Sequence, residues 1–429
     1  MLNNKVVKNA SWIIACRIAQ ALMNVIVTML TARYMGPANY GIISYAASVV
    51  AFVVPVMQLG LDSVMVHFFV KEPKRDGEIL GTSFVMCSVS ALLSIIGVVC
   101  FVMISTPGEV ETTVVCALYS LILVFRAFET VQYWFQARFL SKYTALTVLA
   151  AYFAVSVYKV VLLMTGSHIY WFAVSQALDY LLISSALFVI YKKLGGGRLR
   201  FSWSLAKEMF GQGRYYIVSG LMVTVFAQTD KIMLKIMVGD AATGYYSTAV
   251  FCAGMASFVF AAIIDSARPA ILESYGTEDK AAFEKNVSRL YSVIIYMSLG
   301  LCVAITLFAD LIVGILYGAE YSASVLPLRI VVWYTTFSYL GAVRNVWILA
   351  EGKEKYLWII NLSGVLCNII LNFLLIPHFD MTGAAVASLV TQVITNVFTG
   401  FVIRPVSRNN TLMLRGLNPK LIVEMIKSR

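Results

Sequence analysis

The sequence predicts an all-α integral membrane protein, and three observations lead there. Of its 429 residues, 60% are hydrophobic and 13% are charged, with a mean hydropathy of +0.82, well outside the range of soluble domains. Stretches apolar enough to cross a bilayer core, which takes roughly 20 helical residues, recur twelve times. Between them, basic loops alternate with loops nearly free of Lys and Arg. The net charge of +11 therefore carries topology. It is not a nucleic-acid footprint, because most of it lies in short loops on one side.

The first predicted span, 10–33, is too long for the apolar core of a cleavable signal peptide and has no small-residue cleavage site behind it. It is expected to stay in the membrane. The spans that follow are 42–69, 79–104, 112–135, 145–165, 170–191, 215–238, 246–271, 288–308, 326–349, 356–376 and 382–403. One set of loops holds Lys71, Lys74 and Arg75, Arg138 with Lys142, Lys192 and Lys193 with Arg198 and Arg200, Lys280 with Lys285, and Lys353 with Lys355. The other holds Glu109, Glu111, His168, Asp240, Asp310, Glu320, His378 and Asp380. The positive-inside rule puts the basic set and both termini in the cytoplasm. The two histidines are expected to be exposed loop residues.

The longest basic connection, Lys192 to Lys207 with Gly195-Gly-Gly197, falls between spans six and seven. It divides the chain into an N-terminal six-helix lobe (1–200), a C-terminal six-helix lobe (201–403) and a basic cytoplasmic tail (404–429). With an even number of spans in each, the lobes are related by a pseudo-twofold along the membrane normal. They also repeat in sequence. Gly36-Pro-Ala38-Asn-Tyr-Gly41-Ile-Ile-Ser44-Tyr-Ala46 recurs 203 positions later as Gly239-Asp-Ala241-Ala-Thr-Gly244-Tyr-Tyr-Ser247-Thr-Ala249, and Asp62 lands on Asp265. Locally, Gly-Pro between spans is a helix stop and tight turn. These glycines are expected to build a hairpin and to contact no substrate. The seven cysteines stand singly with no metal-ligand spacing, so they read as small packing residues.

The segment Arg33-Tyr-Met-Gly-Pro-Ala-Asn-Tyr-Gly41 resembles the signature of polysaccharide-biosynthesis membrane proteins, the O-antigen and capsule repeat-unit (lipid-linked oligosaccharide) flippases of the multidrug/oligosaccharidyl-lipid/polysaccharide exporter superfamily. Leu375-Ile-Pro377 through Gly383-Ala-Ala385-Val-Ala387 is similar to a second recurrent pattern of the same family. The resemblance covers nearly the whole chain. It implies a multi-pass protein of the cell membrane that moves a polyprenyl-diphosphate-linked glycan from the cytoplasmic to the outer leaflet by alternating access. Its implied partners are that glycan, the lipid bilayer and other polysaccharide-assembly membrane proteins, with no nucleic acid.

The residues have their own logic. A charge at the bilayer centre costs at least about 2.5–3.5 kcal/mol, yet Arg17, Arg126, Lys159, Lys231, Arg268 and Arg344 all lie inside apolar spans. A cavity lined by such cations suits an anion, and guanidinium forks suit phosphate oxygens. These six, with Asn24, are the substrate-binding candidates. Arg17 heads a polar stripe through Gln20, Asn24, Thr28 and Thr31. Arg126 has Glu129 at i+3 and Arg268 has Asp265 at i−3, so each reads as either a self-neutralised pair or a substrate contact, and Arg268, near the cytoplasmic end before Pro269, also reads as snorkelling to the headgroups. Lys159 has Asp179 as its expected partner, in a bridge that is either fixed or opened by substrate or a proton. Asp230 and Lys231 are adjacent, so they point to different helix faces. Lys235 is expected to snorkel outward. Arg344, beside Asn345, lacks an acid one turn away. Asn361, Gly364, Asn368 and Asn372 form one polar stripe, and Ser388, Thr391, Gln392, Thr395 and Thr399 another. Both read mainly as interhelical hydrogen bonding.

The ion-coupling candidates, for H⁺ or Na⁺, are Asp62, Glu129, Asp179, Asp230 and Asp265. No catalytic residue, resident metal or cofactor is expected, because the chain has no phosphate loop, no H-E-x-x-H and no G-x-S-x-G. The alternatives are a multidrug or other lipid-precursor exporter of the same superfamily, or a membrane glycan polymerase or ligase. The cation excess opposes the first. The lack of a large outer loop and the internal duplication oppose the last.

Overall fold

The computed structural model describes residues 2–276 and 279–421, with side chains from Ala19 onward. Among the described residues every regular element is a helix. Eight helical stretches are long and apolar enough to cross a membrane, or nine when a pair bent by 40° is taken as one span. The chain is an integral, multi-pass membrane protein. It clusters into two compact units, Met1–Gln228 and Thr229–Arg429.

In the first unit, α1 (Leu2–Gln58) is two helices meeting at Gly36, where φ is 71° and ψ 170°. That region is essentially reserved for glycine, and Pro37 then starts the second helix with its φ already set. After a break at Leu59 and Gly60 come α2 (Leu61–Lys71) and α3 (Asp76–Ser105). The expected span 112–135 lies in one apolar helical stretch, Val110–Ala137, that is interrupted along its length. It is α4 (Val110–Ser120), α5 (Ile122–Phe128), a 3₁₀ turn over Glu129–Val131 and α6 (Gln132–Ala137). Two long helices, α7 (Ser141–Met164) and α8 (Ile169–Lys193), complete the bundle. α1 packs on α3, α4 and α7, and α5 packs on α3 and α8.

The basic connection after α8 is held down along its length. Arg200 N donates to Gly77 O at 3.0 Å, and Ser202 N donates to Thr82 Oγ1 at 3.1 Å. A Cβ on Gly77 would fall 2.1 Å from the Arg198 carbonyl oxygen, so α3 accepts this strap only because its second residue is a glycine. Asp76 beneath it is buried and accepts from Trp134 Nε1 at 2.6 Å and from Arg138.

α9 (Trp203–Met237) leads into α10 (Asp240–Gly254) through Gly239, at φ 127° and ψ −171°. The two glycines 203 residues apart thus share the same rare backbone region. α11 (Ser257–Gly276), α12 (Lys280–Leu316), α13 (Val325–Ala350) and α14 (Leu357–Val393) follow. α10 and α11 are the bent pair. α14 is again two helices, meeting at Asp380 with φ 49° and ψ −133°. Its second half folds back on the first: Thr391 Oγ1 reaches Cys367 Sγ at 3.9 Å, and a Cβ on Gly383 would sit 2.3 Å from the Leu375 carbonyl oxygen. A π turn over Ile394–Phe398 joins α14 to the short α15 (Thr399–Val402).

The amphipathic tail helix α16 (Ser407–Arg415) buries Leu412 and Met413 in a core with Tyr291, Val343 and Trp347. Its Arg408 and Arg415 grip Glu284 of α12. The bonds to Glu284 hold the Arg408 guanidinium above its ordinary pKa.

Candidate functional site

The most complete polar site lies in the second unit, around Asp230. This residue sits two turns before the end of α9 and is only 7% exposed. Its Oδ1 accepts from Asn368 Nδ2 at 3.0 Å and from Asn372 Nδ2 at 2.6 Å. Its Oδ2 accepts from Tyr246 OH at 2.6 Å and from Ser388 Oγ. A carboxylate has about four lone-pair sites, and all four are filled by neutral donors. Those four bonds offset the cost of burying so polar a group.

The donors come from three places in the chain. Tyr246 is on α10, Asn368 and Asn372 are one turn apart on the first half of α14, and Ser388 is on the second half. The reversal at Asp380 brings the two halves together over one carboxylate. Asn372 Nδ2 also lies 3.1 Å from Asn368 Oδ1, whereas Asn372 Oδ1 is buried with no donor. Lys231 and Tyr334 of α13 are the other ionisable groups that interact electrostatically with Asp230. The cluster can reorganise without backbone motion: hydroxyls rotate and amides turn over, so the same side chains can present oxygens instead of hydrogens.

A second, differently built cluster lies in the first unit. Lys159 of α7 and Asp179 of α8 interact electrostatically, and Asp179 is coupled in the same way to Glu129 and to Tyr152. Arg126 of α5 lies over the Tyr180 ring, 5.5 Å from its centroid, a cation–π contact, and also interacts with Glu129. Asn24 of α1 accepts from Tyr152 OH at 3.0 Å and from Thr28 Oγ1 at 3.1 Å. Asp179 Oδ1 and Arg126 Nε are buried with no hydrogen-bond partner. The cations attract the acids while the two acids repel each other, and hydrogen-bonding capacity is left over.

The remaining candidates lie elsewhere. Arg268 and Asp265 form an exposed pair at 3.2 Å. Asp62 is exposed at the start of α2. Arg17 lies outside the residues whose side chains are described. One expectation is corrected. Lys235 does not snorkel: its side chain is buried and pairs with Asp240 at 2.6 Å. Arg344, for which a cavity and a helix interface were both open, is 3% exposed and donates to the Thr395 carbonyl at 2.8 Å. The π turn supplies the reason, because its wider backbone ring leaves carbonyls that a side chain must satisfy.

Tyr246 was not among the expected residues. It stands in the repeated Gly-x-Ala segment, which reads as a turn, and a tyrosine there gives no sign of a buried partner. The two polar stripes do bond between helices as expected, but the first supplies two donors and the second one to a shared carboxylate, which neither stripe reveals.

Comparison with known proteins places the chain. The profile of the polysaccharide biosynthesis protein family matches residues 6–275. The capsular polysaccharide biosynthesis protein CapF of Staphylococcus aureus is 25% identical over 403 residues, covering 90% of this chain and 96% of that one. The probable low-salt glycan biosynthesis flippase Agl15 of Haloferax volcanii is 22% identical over 235 residues, 51% of this chain and 50% of that one. Among solved structures, the lipid II flippase MurJ in an inward closed conformation superposes with a TM-score of 0.72 at 15% identity, covering 97% of this chain and 93% of that one. An inward-facing multidrug resistance MATE transporter superposes with a TM-score of 0.67 at 13% identity, covering 92% and 95%. These two likenesses establish a shared fold.

Proposed function

Because the chain belongs to the polysaccharide biosynthesis protein family, we propose that it is a flippase: a secondary transporter carrying a polyprenyl-diphosphate-linked oligosaccharide from the cytoplasmic to the outer leaflet of the cell membrane by alternating access. Two relatives named for capsular polysaccharide and glycan biosynthesis, one of them as a flippase, support the substrate class. The topology in this proposal is twelve spans in two six-helix lobes with both termini cytoplasmic. Counting the helices broken at Gly36 and Asp380 twice, the bent pair once and α13 once brings the eight apolar stretches to twelve.

The observation that carries the mechanism is the buried Asp230 carboxylate with its four neutral donors. A transporter driven by an ion gradient needs a buried anion whose surroundings tolerate both the bare and the cation-bound form. Around Asp230, rotation of Tyr246 and Ser388 and turning of Asn368 and Asn372 exchange hydrogens for oxygens, so H⁺ or Na⁺ is accommodated without moving a helix. The otherwise unused Asn372 Oδ1 is an acceptor already in place for a metal cation. In the first unit, Arg126 and Lys159 supply positive charge for the diphosphate, with Glu129 and Asp179 holding them when substrate is absent. Ligand binding to one of two conformers shifts their populations, and rocking of repeats is the physical form that takes in such transporters.

Depletion of the protein in its host tests the function. Lipid-linked repeat units should accumulate on the cytoplasmic leaflet, scored by accessibility to an impermeant glycan-modifying enzyme. If the units instead reach the outer leaflet and remain unpolymerised, the protein acts after transport, as a polymerase or ligase would.

A further inference from the structure

The π turn between α14 and α15 is stapled from two sides. Arg344 Nη1 of α13 donates to the Thr395 carbonyl at 2.8 Å, and Asn410 Nδ2 of the tail helix donates to the Val397 carbonyl at 2.7 Å. Inside the turn, Asn396 Nδ2 donates to Gln392 Oε1 at 2.5 Å. The neighbours leave room for these side chains: a Cβ on Gly341 would lie 2.3 Å from Asn396 Oδ1, and one on Gly400 2.2 Å from Asn410 Oδ1. Arg344 and Asn410 are both buried.

The turn begins six residues after Ser388, which donates to Asp230. A π turn holds one more residue than an α turn, and each helical residue contributes about 100° of rotation. Losing the extra residue would turn the helix before it by about that angle relative to the helix after it. Ser388 would leave Asp230, and Gln392 would leave Asn396.

We propose that Arg344 and Asn410 are positioning residues for the Asp230 site. By holding carbonyls of the π turn, the Thr395 one shared with Thr399 Oγ1, they keep the second half of α14 in the rotation that places Ser388 on Asp230, and so tie the tail helix to cation binding. Arg344 thus acts on transport through the backbone and not through the substrate. The tail helix is built for this role. Asn409 accepts from Tyr291 OH at 2.9 Å, and Arg408 and Arg415 anchor it to Glu284. These contacts fix Asn410 against the turn.

This proposal rests on Asp230 being the cation site, and the test separates the two. The full chain in lipid nanodiscs is unfolded thermally across a Na⁺ titration at constant ionic strength and, separately, across a pH series. A cation that binds the native state raises the midpoint by mass action, which gives a half-saturating concentration. Arg344→Met and Asn410→Ala should each raise that concentration about tenfold, roughly one pH unit for protons, as loss of an outer positioning contact does at ion sites. Arg344→Lys, which keeps one donor for the Thr395 carbonyl, should stay within about twofold. Asp230→Asn should abolish the response.

If Asp230→Asn still responds, or neither cation stabilises the natural protein, the Asp230 assignment falls and this proposal with it. If Asp230→Asn is silent while Arg344→Met and Asn410→Ala lower the midpoint but keep the natural half-saturation, both residues are merely structural and only this proposal falls. Should Arg344→Met fail to fold, Asn410→Ala decides.

Discussion

The two units carry the same backbone devices and opposite chemistry. Gly36 and Gly239, 203 residues apart, hold the same glycine-only conformation at corresponding turns. At that same offset, however, Asp230 and Lys231 correspond to Val27 and Thr28, and Val27 is a buried core residue. The first unit gathers two cations and two acids with hydrogen-bonding capacity unspent. The second gathers neutral donors around one acid with its lone pairs filled. Duplicated folds keep what the backbone requires, because a non-glycine residue in that region costs about 1–3 kcal/mol wherever it occurs. Side chains inside the bundle are free to diverge, and here one unit gathers paired charges and the other a single acid among neutral donors.

That division can be broken by experiment. The largest effect is expected for Asp230→Asn, which keeps the shape and removes the charge. Transport in a reconstituted leaflet assay should fall by about 100-fold while affinity for the diphosphate lipid is kept. If lipid affinity falls instead, the units do not divide the work. Lys159→Met should do the reverse, weakening half-saturation by the lipid roughly tenfold with the cation dependence intact. An altered cation dependence in that variant would merge the two sites into one. Tyr246→Phe removes one of four donors to Asp230 and leaves the ring. A several-fold loss of apparent cation affinity is expected from the worth of a hydrogen bond to a charged group, read from the same transport assay. The smallest and most even effect is expected for the paired glycines. Gly36→Ala and Gly239→Ala should each destabilise the protein by about 1–3 kcal/mol, measured by thermal unfolding, without changing the affinity for either ligand in the fraction that remains folded. Unequal costs would mean that the turns are not equivalent.

Much of the architecture was legible residue by residue. The apolar character of the helices, the helix stop at Gly36 and its recurrence at Gly239 are local properties of a few neighbours, and the structure has both glycine turns where they were expected. The span 112–135 was legible as apolar but not as broken, because the 3₁₀ turn over Glu129–Val131 contains neither Gly nor Pro. The site was only half legible. Asp230 is conspicuous as an acid in an apolar helix, and so is the asparagine stripe, but nothing in either identifies the other as its partner. Arg344 was conspicuous for the same reason, with a cavity and a helix interface equally open to it. Its partner is the Thr395 carbonyl, and backbone carbonyls leave no mark in a sequence.

By itself, then, the amino-acid order determined that this chain lives in a membrane, that a glycine turn recurs 203 residues on, and which family it resembles. Each follows from hydrophobic length, loop charge or a forced φ, all set by residues close in the chain. Only the tertiary structure decided which buried charges meet. Asp230, Tyr246, Asn372 and Ser388 span 158 positions, and whether they converge depends on the rotation of α9, the reversal of α14 at Asp380 and the π turn beyond it. A change of one residue in helical register turns a side chain by about 100°, so the same sequence stripes would read identically whether or not they met.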